Sequence, residues 1–200
     1  MGGAKYCDIG NYHFTSLSMN EALNATNWAT LMKKYKIPEY WLTEYAVDVN
    51  QDNDLKEQAI RLLKQLTMIF ESGCTRVFYS VYQARKFQPE DIKSVGLVSM
   101  NGEKRPIYYT YMTMIDLLDG FSKVEKIDEG KYLFTVRNRP VYVLWDDSAL
   151  DVENQIAKLV SVKPDYKLKG NVNVTDYLGN TKRMNIDDLT LSSDPVIVWQ

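Results

Sequence analysis

Two hundred residues, 45% apolar and 25% charged, describe an ordinary globular chain of one or two domains and exclude disordered and fibrous architectures. With 24 basic against 26 acidic residues the net charge is -2 and no long single-sign block exists, so nucleic acid and anionic membrane are not expected partners. Apolar runs stop well short of the roughly 18 residues a membrane span needs, the opening MGGAKYCDIGNYHF carries no signal-peptide pattern, and two cysteines with one histidine predict neither a metal site nor a cofactor; the compartment stays open.

The first half alternates short strand-like runs with long helical ones, the pattern of parallel β/α units. Tyr6 to Asn11 reads as a strand. Ser18 and Glu21 have capping-box spacing, and Trp28, Leu31, Met32 and Tyr35 then share a helical face, which predicts a helix from Ser18 to Tyr35. Tyr40 to Glu44 is the second strand, and alternation predicts Tyr40, Leu42 and Glu44 on one face with Trp41 and Thr43 on the other. A polar loop, 47–53, follows. Asp54 and Glu57 open a second helix whose Leu55, Ala59, Leu62, Leu63, Leu66, Ile69 and Phe70 repeat at three and four, ending where Gly73 suits a left-handed cap. Arg76 to Tyr82 is a third strand and 83–93 a polar loop; beyond the Asn101-Gly102 turn, Pro106 starts a helix that runs to Gly120.

From Lys123 onward the period changes from helical to alternating. Strands are expected at 124–127, 132–137, 141–145, 172–175, 181–186 and 196–199, with turn signals at Asp128-Glu129-Gly130, Asn138 to Pro140 and Leu178-Gly179-Asn180. The expected organisation is therefore residues 1–121 as a β/α segment and 122–200 as a small antiparallel β-sandwich, with no Gly/Ser linker between them.

Three strand-helix units do not by themselves bury a parallel sheet. The runs YWLTEYAVD, SGCTRVFYSVYQ and SVGLVSMNGEKRPIYYTYMTMIDLL, preceded by DIGNYHF, resemble the last part of a (β/α)8 glycoside hydrolase of the large retaining clan with paired catalytic carboxylates. DIGNYHF resembles that clan's sixth strand, WLTEYA its seventh and RVFYSVY its eighth, and VNVTDYLGNTKRMNIDDLTLSSDPVIVWQ is similar to the closing strands of the β-domain appended to such barrels. The resemblance extends from Asp8 to Gln200 and implies a partial (β/α)8 barrel of three β/α units followed by the sandwich.

The resemblance implies Glu44 as the catalytic nucleophile, at the carboxyl end of the seventh strand where barrel active sites assemble. In a retaining glycosidase that carboxylate forms a covalent glycosyl intermediate, while a second carboxyl about 5 to 5.5 Å away serves as acid and then base. It implies His13 as a substrate-binding residue beside the nucleophile, and Tyr79 as the ring on which the sugar stacks, where the clan usually has Trp. Two departures stand out. Thr15 replaces a Tyr of the pattern, and the acid/base glutamate of the clan's fourth strand has no counterpart, so the chain is expected to be a carboxyl-terminal fragment, one chain of a split enzyme, or a degenerate relative. Its expected partners are carbohydrate and either a chain supplying the first barrel strands or a second copy of itself. The alternative reading is a non-catalytic carbohydrate-binding or assembly module, to which 14 Tyr, 4 Trp and 6 Phe would also be suited.

Weaker signals read as structural. Cys7 and Cys74, two strand spacings of about 4.8 Å apart, exceed the roughly 7 Å limit for a disulfide and are expected as free thiols. The triplets Asn24-Ala-Thr26 and Asn173-Val-Thr175 match glycosylation sequons that chance often produces, and Asp48, Asp52 and Asp54 fit a solvated helix start better than a cation loop.

Overall fold

A computed structural model describes residues 3–16, 22–48, 54–84, 95–151, 156–157, 160–161 and 167–200. The Ser18–Glu21 capping box, Asp52 and most of both polar loops lie outside them. Contacts divide the chain into two compact units, Met1–Tyr108 and Tyr109–Gln200. The division falls within the last helix, ahead of the 121/122 boundary read from the change of period.

In the first unit β1 (Ile9–Ser16), β2 (Glu39–Val47) and β3 (Arg76–Tyr79) form a three-stranded parallel sheet in that order, connected through α1 (Ala22–Lys34) and α2 (Leu55–Glu71). β1 starts later and runs further than the sequence suggests, so His13 lies inside the strand; its alternate positions Asn11 and His13 are polar because they do not face the helices. α1 ends with Lys36 at φ 57°, and Lys36 and Ile37 donate to Lys33 and Met32 carbonyls, closing the last turn in a Schellman motif. Gly73, at φ 109°, does the same for α2 through its own bond to Phe70 and that of Cys74 to Ile69.

α2 is the main source of burial in this unit. Ala59, Leu62 and Leu63 are fully buried, Leu66 and Ile69 nearly so, as their three-four spacing predicts. Polar residues of the same helix are buried as well: Gln58 and Arg61 donate to the backbone carbonyls of Val47 and Asp48. These bonds clamp the carboxyl end of β2 to the helix that follows it.

In the second unit α3 (Pro106–Leu118), which begins just inside the first, precedes a six-stranded antiparallel sheet. Its strands are β4 (Phe121–Asp128), β5 (Lys131–Val136), β6 (Arg139–Leu144), β10 (Asn171–Asp176), β11 (Thr181–Asn185) and β13 (Val196–Trp199), in the order β11-β10-β13-β6-β5-β4. Short pairs join β7 (Leu150–Asp151) to β8 (Ile156–Ala157) and β9 (Val160–Ser161) to β12 (Thr190–Leu191). One face of the large sheet buries Leu133, Tyr142, Leu144, Val172, Val174 and Val198 in a common core with Leu168, Ile186, Leu189 and Leu191. The other face carries Tyr132, Phe134, Val143 and Ile197, each at most 1% exposed. Both faces are thus covered, as alternating apolar residues on both sides of β5 and β6 require.

Candidate active site

β1 and β2 run in step from Ile9 beside Glu39 to Tyr12 beside Leu42, then slip by one, so that His13 lies beside Glu44. β3 meets the same slip between Leu42 and Tyr45. β2 therefore holds one extra residue at Thr43–Glu44, a bulge that turns both of these side chains to one side. Before the bulge the even positions face the helices: Tyr12 stacks on Trp28 of α1 at 5.4 Å, and the Tyr40 hydroxyl bonds to Ser72 at the end of α2. After it the odd positions do, with the Tyr45 hydroxyl donating to Gln65 of α2 at 2.6 Å. Glu44 accordingly does not share a face with Tyr40 and Leu42, as simple alternation would have it. It stands on the opposite, open face of the sheet with Asn11, His13, Trp41 and Thr43.

There His13 Nδ1 lies 3.1 Å from Glu44 Oε2, with both side chains a little over half exposed. With the ring proton on Nδ1, His13 donates to the carboxylate and its Nε2 accepts from the Asn11 amide at 3.2 Å; Thr43 Oγ1 is 3.0 Å from the same nitrogen and its hydroxyl donates to Asn11 Oδ1. An exposed pair of this kind contributes roughly 0–1 kcal/mol to stability. Its consequence is positional: Asn11 and Thr43 hold the imidazole, and the imidazole holds one oxygen of Glu44, leaving the other to face outward from a carboxyl strand end.

The amino-terminal end of the same face carries a second cluster. Thr75 and the Trp41 indole both donate to Glu39 Oε1, at 2.6 and 2.8 Å, and these bonds, with a smaller pull from Arg76 at 4.0 Å, hold the Glu39 carboxyl below its usual range. Arg76 lies 5.2 Å over the Trp41 ring, and Trp41 meets Phe78 at 6.2 Å. Phe78 is 47% exposed, an uncovered ring on a parallel sheet. Among the described residues no group of three or more His, Cys, Asp or Glu is placed to hold a metal ion.

Tyr79 is not brought to the His13–Glu44 pair. Its neighbour across the sheet is Tyr45, on which its ring packs edge-on at 6.1 Å, and its hydroxyl donates to the Val95 carbonyl at 2.6 Å. It therefore stands on the helix-covered side, and the aromatic that alternation puts on the open face of β3 is Phe78. Asn11 and Thr43 were missed by sequence reasoning. The signal that could have found them is the odd spacing of the large apolar side chains Leu42 and Tyr45, both buried, at 2% and 0% exposure, which a regular strand would put on opposite faces. Both cysteines are free, Cys74 buried and Cys7 half-buried.

No family model matches the sequence, and no curated protein matches it. Solved structures do. A family 39 glycoside hydrolase from the gut symbiont Bacteroides cellulosilyticus WH2 aligns with 88% of this chain at 16% identity and a TM-score of 0.62. A GH30 endoxylanase from Clostridium papyrosolvens C71 aligns with 98% of it at 13% identity, also with a TM-score of 0.62. The chain spans 37% and 49% of those two proteins respectively, less than half of either. At such identities the likeness is one of fold: a parallel β/α segment followed by an antiparallel sheet, as in part of a glycoside hydrolase.

Proposed function

We propose that this chain carries the nucleophile half of a retaining glycoside hydrolase site, with Glu44 as nucleophile and His13 as the residue that orients it. The observation that supports this reading is the bulge in β2. It lifts a carboxylate onto the open face at a carboxyl strand end, where (β/α)8 barrels build their sites, and sets it against a histidine at 3.1 Å. In this reading β1, β2 and β3 are the last three strands of the barrel and their open face is its interior, with the antiparallel sheet as the appended domain. Tyr79 has no role in it, and the exposed ring of Phe78 takes the place on the open face that the resemblance gave to Tyr79.

The chemistry follows from retention. A Glu44 oxygen attacks the anomeric carbon as the bond to the leaving oxygen breaks; that oxygen takes a proton from a second carboxyl, which then removes a proton from the water that releases the sugar. Glu39, the other carboxylate of the open face, cannot be that group. Five residues of strand separate it from Glu44, about 16 Å at the usual rise, against the roughly 5 to 5.5 Å a retaining pair needs. In this reading the acid/base is supplied by a barrel strand other than these three. Without it, leaving-group departure is unassisted, a loss on the order of 10² to 10⁴ in rate, and ordinary glycosides are not turned over at enzymatic rates.

The test uses donors that need no acid. A 2-deoxy-2-fluoroglycosyl fluoride loses fluoride without protonation and traps the nucleophile as a stable ester. Incubated with a panel of such sugars, the chain should gain one glycosyl unit, which peptide mass mapping places on Glu44. Glu44→Gln should gain none while its melting temperature stays unchanged. Equal labelling of both proteins, or none by any sugar of the panel, removes the nucleophile role and leaves the binding-module reading, for which the exposed Phe78 ring beside the half-buried Trp41 is the supporting feature.

A further inference from the structure

We propose that a cleft in the second unit binds a carboxylate-bearing sugar, a uronic acid unit, through the guanidinium groups of Arg137 and Arg139 and the indole of Trp199. The cleft, of about 370 Å³, is lined by the carboxyl-terminal part of α3 and by the end of the sheet where β5 turns into β6. That volume is at the small end of ligand sites and suits one ring. Nothing in the argument involves Glu44, which belongs to the first unit.

The sheet register makes one wall. Val136 pairs with Arg139 and Val141 with Trp199, so these four side chains share a face, with the two valines buried at 8% and 6% exposure as its floor. Trp199 Nε1 donates to Thr175 Oγ1 at 3.0 Å, and Thr175 is itself buried, so the indole is held in one orientation beside the floor. A pinned ring loses little freedom when a flat ligand packs on it.

The turn supplies the charge. Arg137 and Asn138 have φ of 50° and 65°, the two left-handed positions of a tight hairpin turn. Asparagine or glycine serves the first of these with less strain than arginine does. Among the described residues no ion pair engages Arg137 or Arg139, although Asp116 lines the same cleft.

Chemistry narrows the occupant. Two unpaired guanidinium groups match a carboxylate, which can accept two parallel N–H bonds from each. An apolar floor and a fixed indole match the C–H face of a pyranose ring, and Asp116 offers an acceptor for sugar hydroxyls. A small inorganic anion would leave the indole unused; a neutral sugar would offer the two arginines hydroxyl acceptors but no opposite charge. A sugar acid uses every group present.

The experiment titrates the whole chain with digalacturonic acid, its methyl ester and sodium acetate, reading heat of binding and tryptophan fluorescence. The acid should bind saturably. The ester and acetate should each bind at least about tenfold more weakly, as should the acid with Arg139→Gln and with Arg137→Asn, a change the turn favours. Equal affinity for acid and ester, equal affinity for acetate, unchanged affinity in both arginine variants, or no saturable binding of the acid would each overturn the proposal.

Discussion

Burial has a chemical consequence at Cys74 and Tyr40. Loss of solvent, the largest cause for both, pushes the Cys74 thiol up to about 11 and the Tyr40 phenol up to about 12, against ordinary values of 9.0 and 10.0. At pH 8 a disulfide reagent should therefore modify the half-buried Cys7 and leave Cys74 untouched until the chain unfolds. The same shift makes a stability statement. Between pH 9.0 and about 11 the unfolded thiol has released its proton while the folded one keeps it, so stability is full below pH 9.0 and falls as pH rises toward 11. Two units correspond to on the order of 2–3 kcal/mol. Urea melts across that range should show the decline in the parent and a shallower one in Cys74→Ala, where only Tyr40 contributes, from pH 10.0 upward; identical slopes would mean the thiol is wetter than the fold implies.

At the scale of elements, the bulge in β2 adds one residue to the open face. Deleting Thr43 removes the extra residue, so Glu44 would pair singly with His13 while Tyr45 and Val47 still face the helices. The deletion variant should stay folded, with a helical signal like the parent's and a loss within about 1 kcal/mol, because its core positions keep their parity. A tight turn tolerates less. Gly130 sits at φ 65°, and a Cβ there would come 2.3 Å from the Trp145 carbonyl oxygen, so Gly130→Ala should cost on the order of 2–3 kcal/mol in a thermal melt. The turn around Gly130 was legible in the sequence, as were α2 and the strands of the antiparallel sheet, because glycine placement and apolar period are local signals. The pairing of His13 with Glu44 came from resemblance and not from pattern. Phe78 and Tyr79 could not be told apart, since each is an aromatic in a run of apolar residues and only the register with β2, set by the bulge thirty-odd residues away, decides which of them faces outward.

For the whole molecule, the first unit poses a problem of coverage. Parallel sheets are ordinarily covered on both faces, yet here one face has helices while the other shows Phe78, Trp41 and the His13–Glu44 pair, and β1 and β3 each have one bonded neighbour among the described residues. Sedimentation velocity should accordingly show association that strengthens with concentration, and Phe78→Ser should weaken it about tenfold; a monomer at all concentrations would mean the face is satisfied as it stands. The second unit raises a question of time. β13 lies between β10 and β6, so of the six strands of this sheet the last in chain order occupies the middle. While the chain emerges from the ribosome, the β4–β5–β6 meander and the β10–β11 hairpin can each form, but among the described residues no strand pairs with both until Val196 to Trp199 arrives. A nascent chain halted short of those four residues is left as two half-sheets with open inner edges, and proteases and chaperones would meet it as unfinished however much of it has already folded.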